Sequence, residues 1–337
     1  MAQPILHLPV HAEGRKATWF ELFFDLVFVV AVAQLSGTYA HHYDAEGAAQ
    51  FAAAFLAMWW CWLGHTFHGT RFDQDLPRQR LVGFLEVGAV TLIGYGVSAP
   101  LTERAWAFGI GIAAFKGLLA LAYLAERRWS GAVQLIRVYA SLYVAQSLLW
   151  LAGAALPGGA RWACWGLALA LDLISPWLVA RHTAAVPPHP EHLPERFGLF
   201  TIILLGEGMA AVVHALDHGE HIHASGVVAA VAGAVLSFGL WLAYFGRVKG
   251  QGERHVADAD AGRRMRLWAY GHVPLYMGIA GSVLALVMRL TGFEGISLMA
   301  SYSSTLFGIL FCFILKVMHV RPYRQRLILE SAGREAS

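Results

Sequence analysis

Ten apolar runs, each about as long as a bilayer's hydrocarbon layer is thick, decide most of what this chain can become. They cover roughly 19–40, 48–69, 81–100, 105–126, 132–153, 162–180, 197–216, 224–246, 267–289 and 297–319. A helix needs about 20 residues to cross that layer. Backbone groups in lipid must be satisfied within the spanning structure, which leaves helices and closed barrels. Runs this long, rich in Leu, Ala, Val, Phe and Gly, read as packed membrane helices. Only 14% of the 337 residues are charged, against about a quarter in a soluble domain. The predicted fold is all-α: a polytopic bundle of about ten transmembrane helices. Residues 1–18 form a cytoplasmic N-terminal segment, 19–319 a single transmembrane domain, and 320–337 a cytoplasmic tail.

Lys and Arg between the runs set the orientation. With the N-terminus inside, the inner segments hold 20 of these residues and the outer loops hold Arg104, Arg161 and Arg289. Lys116 and Arg137 fall within runs. Both termini are therefore expected in the cytoplasm. The opening MAQPILHLPVHAEGRKA lacks the apolar core of a signal peptide, so the first run is expected to act as its own insertion signal. Cys61, Cys164 and Cys312 are far apart and suggest neither a disulfide framework nor a zinc spacing.

The chain also carries signs of an internal duplication. Phe20-Glu21-Leu22-Phe23 opens the first helix, and Phe197-Gly198-Leu199-Phe200 opens the seventh. Both helices lead into a histidine-rich outer loop. The third and ninth runs follow Arg80-Leu81 and Arg266-Leu267, a register that aligns Glu86 with His272. This suggests a parallel four-helix repeat, helices 1–4 and 7–10, as in many transporters. Chance similarity among apolar helices is the competing explanation.

Ionisable side chains within spans are costly and need a reason to be there. Glu21 and Asp25 share one face of helix 1 at i,i+4 spacing. Glu86, His272 and Arg137 lie at similar depth in their own helices, and Arg137 offers a partner for a carboxylate. Asp172 and Lys116 lie deeper. Glu207, between Gly206 and Gly208, sits near the bilayer midplane, where flanking glycines allow close backbone approach. Five acids (Glu21, Asp25, Glu86, Asp172, Glu207) face two bases (Lys116, Arg137). The surplus points to bound protons or cations. Structural readings compete at each position. Glu21 suits a helix N-terminus. Asp25, Glu86 and Arg137 suit a buried network. Asp172 suits the backbone loosened by Pro176.

The outer loop with Asp217, His218, Glu220, His221 and His223 offers imidazole and carboxylate ligands for a divalent metal. Its spacing matches no defined zinc motif, and a solvated polar loop is the alternative. His65 and His68, at i,i+3, can share a proton or pack at the interface. No P-loop, nucleophile elbow, HExxH or CxxC motif is present.

Two segments resemble a known family. Thr18-Trp19-Phe20-Glu21-Leu22-Phe23-Phe24-Asp25-Leu26-Val27-Phe28-Val29 is similar to the opening motif of the bacterial low temperature requirement protein A family. Arg196-Phe197-Gly198-Leu199-Phe200-Thr201-Ile202-Ile203-Leu204-Leu205-Gly206-Glu207 resembles that family's second hallmark. The resemblance implies a multi-pass protein of the bacterial cytoplasmic membrane and marks Glu21, Asp25, Arg196 and Glu207 as motif positions. It supplies no mechanism.

The leading expectation is a secondary transporter handling protons or a small cation, with an unidentified small-molecule substrate. Glu207, Asp25, Glu86, Glu21, Asp172 and His272 would form its site, with Arg137, Lys116 and Arg196 as charge partners. The alternatives are an intramembrane enzyme acting on a lipid or quinone, and a metal-sensing membrane scaffold. No cofactor is required, a divalent metal at the outer loop apart. The lipid bilayer is the expected partner, and nucleic acid is not.

Overall fold

The computed structural model describes residues 15–39, 45–72, 77–99, 101–127, 130–183, 186–216, 224–246 and 259–290. Among these residues every regular element is helical: α1 (Trp19–Tyr39), α2 (Ala45–Gly69), α3 (Pro77–Val97), α4 (Ala105–Ala125), α5 (Val133–Ala155), α6 (Gly158–Leu178), the short α7 (Ala180–Thr183), α8 (His192–Leu216), α9 (Ala224–Phe245) and α10 (Ala259–Leu290). A 3-10 turn, Ser130–Ala132, leads into α5. Nine of the ten apolar runs coincide with long helices; the tenth, 297–319, lies outside the described residues, as do most of the terminal segments. Helices α1, α3, α4 and α5 are long and apolar enough to cross a membrane.

Two helix starts depart most from the hydropathy reading. Helix α8 starts at His192 rather than 197, and α10 at Ala259 rather than 267. Polar first turns, with Glu195 and Arg196 in one and Arg263, Arg264 and Arg266 in the other, continue the helix beyond its apolar part. Hydropathy cannot register such turns.

The chain divides into two compact units. The first comprises Met1–Glu207 and Gln251–Arg266, the second Gly208–Gly250 and Leu267–Ser337. In the first, α4 packs between α3 and α5, α6 packs on α5, and α1 packs against α2 and α3. Its helices are inverted relative to those of a water-soluble protein. On α1, Glu21, Phe24, Asp25, Phe28, Val32 and Leu35 face inward, while Trp19, Phe23, Leu26 and Val30 face outward. Leu81, Phe84 and Leu85 on α3 and Leu148 and Leu151 on α5 extend that apolar exterior.

Small residues allow α4 its close neighbours, as expected where helices associate by van der Waals packing. A Cβ on Gly111 would lie 2.8 Å from Ile93 Cγ1 and 2.9 Å from the Ile93 nitrogen on α3. One on Gly109 would lie 2.8 Å from the Ala154 methyl on α5. In the second unit, the Tyr244 hydroxyl on α9 and His272 Nε2 on α10 are hydrogen-bonded at 3.0 Å. Gly111→Ala is expected to destabilise the fold by about 1–3 kcal/mol through overpacking. Gly88→Ala, where a Cβ meets open space, should leave the midpoint unchanged or raised. Thermal unfolding of both variants in detergent checks this.

Candidate functional site

The site begins at the first turn of α1. Thr18 and Glu21 form a reciprocal capping box, the T-x-x-E arrangement that satisfies free amides at a helix start. The Glu21 amide donates to Thr18 Oγ1 at 3.2 Å, and the Thr18 amide donates to Glu21 Oε2 at 2.8 Å. The remaining oxygen, Oε1, faces α8. It lies 3.0 Å from Arg196 Nη1 and 3.0 Å from His192 Nε2. Glu21 is thus both a cap and a long-range ion-pair partner.

One turn further, Asp25 Oδ1 accepts from Arg196 Nη2 at 2.6 Å and from the Trp62 indole on α2 at 2.8 Å. One guanidinium therefore bridges both carboxylates of α1, using the forked donor geometry special to arginine. Glu21 and Asp25 are 0% exposed and Arg196 1%. Phe197 and Phe200 on α8 hold the Trp62 ring, with centroid separations of 5.0 and 4.4 Å. The two motif segments found in the sequence thus meet directly, through Arg196 on Glu21 and Asp25, and again through Trp62.

A second pair lies between α2 and α3. His65 Nδ1 is 2.7 Å from Glu86 Oε2, and both side chains are buried. Phe24 stacks on the imidazole at 3.9 Å with 14° between the planes. A third pair joins α4 to α6: Lys116 Nζ is 2.6 Å from Asp172 Oδ1, both groups sealed. The Tyr143 ring lies 5.5 Å from that ammonium. Cys61 on α2 is within electrostatic range of Glu86, Lys116 and Asp172.

The local chemistry of α6 explains how Asp172 is free to pair. Pro176 has no N–H to bond the carbonyl four residues back. Ser175 Oγ donates to that Asp172 carbonyl instead, at 2.8 Å. The hydroxyl repairs the backbone, and the carboxylate is left for Lys116.

The remaining sequence candidates fall elsewhere. Arg137 is exposed and pairs with none of these carboxylates; Arg196 takes the role foreseen for it. Glu207 is half-buried on α8, with no side-chain partner among the described residues. His272 lies in the second unit, its Nδ1 hydrogen-bonded to the Trp268 carbonyl at 2.8 Å and its Nε2 to Tyr244. Asp217, His218, Glu220, His221 and His223 lie outside the described residues. Among the described residues, no group of three His, Cys, Asp or Glu side chains is placed to hold a metal ion.

His192 and Trp62 were not among the sequence candidates. His192 lay before the apolar run assigned to its helix, and a tryptophan inside an apolar helix reads as core. The T-x-x-E pattern at Thr18 was a legible signal for the cap.

These features define a class: helical throughout the described residues, with a first unit that is apolar outside and pairs ionisable side chains across its interior. Residues 16–333 match the family described as "Bacterial low temperature requirement A protein (LtrA)". The chain belongs to this bacterial membrane family. It is also similar to an uncharacterized protein of Rhizobium meliloti (strain 1021), 27% identical over 298 residues that span 80% of this chain and 68% of the relative. No solved structure matches it.

Removing one partner of a buried ion pair costs about 3–5 kcal/mol, because the other is left as an uncompensated charge. Arg196→Met is expected to lose that much, and Asp25→Asn less, since Asn Oδ1 still accepts from Trp62 and Arg196. Unfolding of both single variants and of the double variant gives the coupling. Strict additivity would show that Asp25 and Arg196 do not act together.

Proposed function

We propose that this chain crosses the bacterial cytoplasmic membrane many times, with both ends inside, and carries protons or small cations across it. The spanning helices, the apolar exterior, the Lys and Arg asymmetry and the family support the membrane placement. The pairing of Glu86 with His65 rather than with a standing cation carries the reading of activity. The sealed acids are Glu21, Asp25, Glu86, Glu126 and Asp172, and the sealed cations are Arg71, Lys116 and Arg196; Glu126 also meets the more exposed Arg78 at 2.8 Å. At least one negative charge is left to be offset. The acids short of a dedicated cation are those beside His192 and His65. Imidazole is the side chain that gains or loses a proton near neutral pH. Charge balance in this interior then depends on mobile protons, or on a cation that replaces them.

Glu207 supplies a further acid on α8, without a partner among the described residues and three turns along the helix from Arg196. The contact between Glu86 and His65 joins the second and third helices of the first half. The contact between His272 and Tyr244 joins the corresponding pair, α9 and α10. That correspondence favours a parallel repeat, an architecture many transporters use. The solute coupled to the ion, if one is carried, is an unidentified small molecule.

Reconstituted liposomes carrying an internal pH dye provide the test. Wild-type protein is expected to dissipate an imposed proton or cation gradient. Glu86→Gln and Glu207→Gln should slow the flux on the order of tenfold or more, since each removes a proton-exchanging carboxylate. Both should keep wild-type folding in detergent. Wild-type liposomes no leakier than empty ones, across proton, sodium and potassium gradients, would remove the basis of the reading.

A further inference from the structure

We infer that His65 relays a proton between Glu86 on α3 and Asp25 on α1, and that the ion handled here is the proton rather than an alkali-metal cation. The inference rests on the proton- or cation-handling reading above and narrows it to one species. Its basis is the way the two nitrogens of a single ring are used. His65 Nδ1 meets Glu86 at 2.7 Å, while Nε2 is buried and has no hydrogen-bond partner among the described residues. Asp25 divides its oxygens in the same way. Oδ1 accepts from both Trp62 and Arg196, while Oδ2 is buried without a partner among the described residues. Asp25 and His65 lie within electrostatic range of each other.

Three features fix this juxtaposition. Trp62 and His65 stand at i,i+3 on α2, so they occupy one helix face. Trp62 bonds Asp25 directly. Phe24, the residue before Asp25, stacks on the His65 ring and sets its plane. A ring held flat against Phe24 directs its two nitrogens along different edges, one to α3 and one away from it.

The transfer is balanced. A proton leaves the Glu86 carboxyl for Nδ1 while Nε2–H gives up its proton, through one intervening water, to Asp25 Oδ2. The imidazole changes tautomer and is neither oxidised nor reduced. In reverse, the same groups return the proton to Glu86. The other ionisable groups nearby are already engaged or stand apart. Lys116 and Asp172 neutralise each other. Arg196 is committed to Glu21 and Asp25. His68 follows His65 on α2, with its own ring packed on Tyr123.

The same surroundings disfavour an alkali cation. Hard cations take about six or more oxygen ligands, and imidazole nitrogen suits softer transition metals. Around His65, Asp25 Oδ1 already accepts two hydrogen bonds, and the Phe24, Phe28 and Phe115 rings pack against one another. One free carboxylate oxygen, one carboxylate engaged by imidazole and a wall of aromatic carbon do not make an oxygen cage.

The test uses full-length protein, labelled with 15N-histidine and reconstituted in liposomes. The His65 signals are identified by their loss in His65→Gln. Should that variant not fold, the ring nitrogen shifted by Glu86→Gln identifies them. Glu86→Gln is expected to move the Nδ1 resonance and Asp25→Asn the Nε2 resonance. Proton flux should fall on the order of tenfold or more in Asp25→Asn, and sodium or potassium gradients alone should drive none in wild type. An Nε2 resonance identical in wild type and Asp25→Asn overturns the relay, even where Glu86→Gln still abolishes flux. Flux driven by sodium or potassium in place of protons overturns the choice of ion. Absence of any wild-type flux overturns the proton-handling reading and the relay together.

Discussion

A charge sealed from water must find an opposite charge or lose its own, and the interior of the first unit is arranged around that demand. Arg196 is its central joint. One guanidinium reaches two carboxylates on α1 with separate nitrogens, which ties the start of α8 to the start of α1. The net worth of such a contact is modest, because desolvation offsets most of the attraction. Its hold on geometry is strong. Any arrangement that separates α1 from α8 leaves three buried charges without partners. Specification of one packing, rather than stability as such, is the clearest role of this triad.

The pairs differ in chemical character, and the difference separates scaffold from chemistry. Arginine does not lose its proton at any accessible pH, so Glu21 Oε1 and Asp25 Oδ1 answer to a constant charge. Lys116 and Asp172 neutralise each other in one sealed contact. Glu86 answers to an imidazole, whose charge varies with its surroundings. The interior thus combines fixed pairs, which hold helices in register, with histidine–carboxylate contacts set among them. A network built only of arginine and carboxylate would be rigid and silent. One built only of histidine and carboxylate would have no fixed reference.

Much of this is legible in the sequence. Membrane-length periodicity located nine helices among the described residues, because hydropathy and helix length answer to the same hydrocarbon layer. The acids Glu21, Asp25, Glu86 and Asp172 were identifiable, since a charge in an apolar run stands out. Their partners are partly legible: Lys116 and Arg196 stand among the expected charge partners, but nothing in the sequence says which acid each one meets. Arg196 lay in a polar stretch next to its run and counted as a loop residue, yet α8 extends back through it. Arg137 looked like an interior base, but an arginine near a helix end can turn its charged head outward, and this one is exposed. Pairing between residues 171 positions apart leaves no local trace in one sequence. The side-chain split of Glu21, one oxygen for its own helix and one for another, was half visible: the cap is a local pattern, the ion pair is not.

That separation along the chain bears on how the protein is made. Helix α1, carrying Glu21 and Asp25, emerges before α8, and the arginine that answers Asp25 is 171 residues behind. At a synthesis rate of about 5–20 residues per second, the wait is roughly 10–30 s. During it, neither carboxyl group has its arginine partner. The nascent bundle therefore stays unlatched through most of translation, and its first segment becomes fixed only once α8 has been threaded in. Quality-control proteases that patrol the bilayer would meet an acidic, unclasped leading helix for that interval, and for the lifetime of any chain truncated before residue 196.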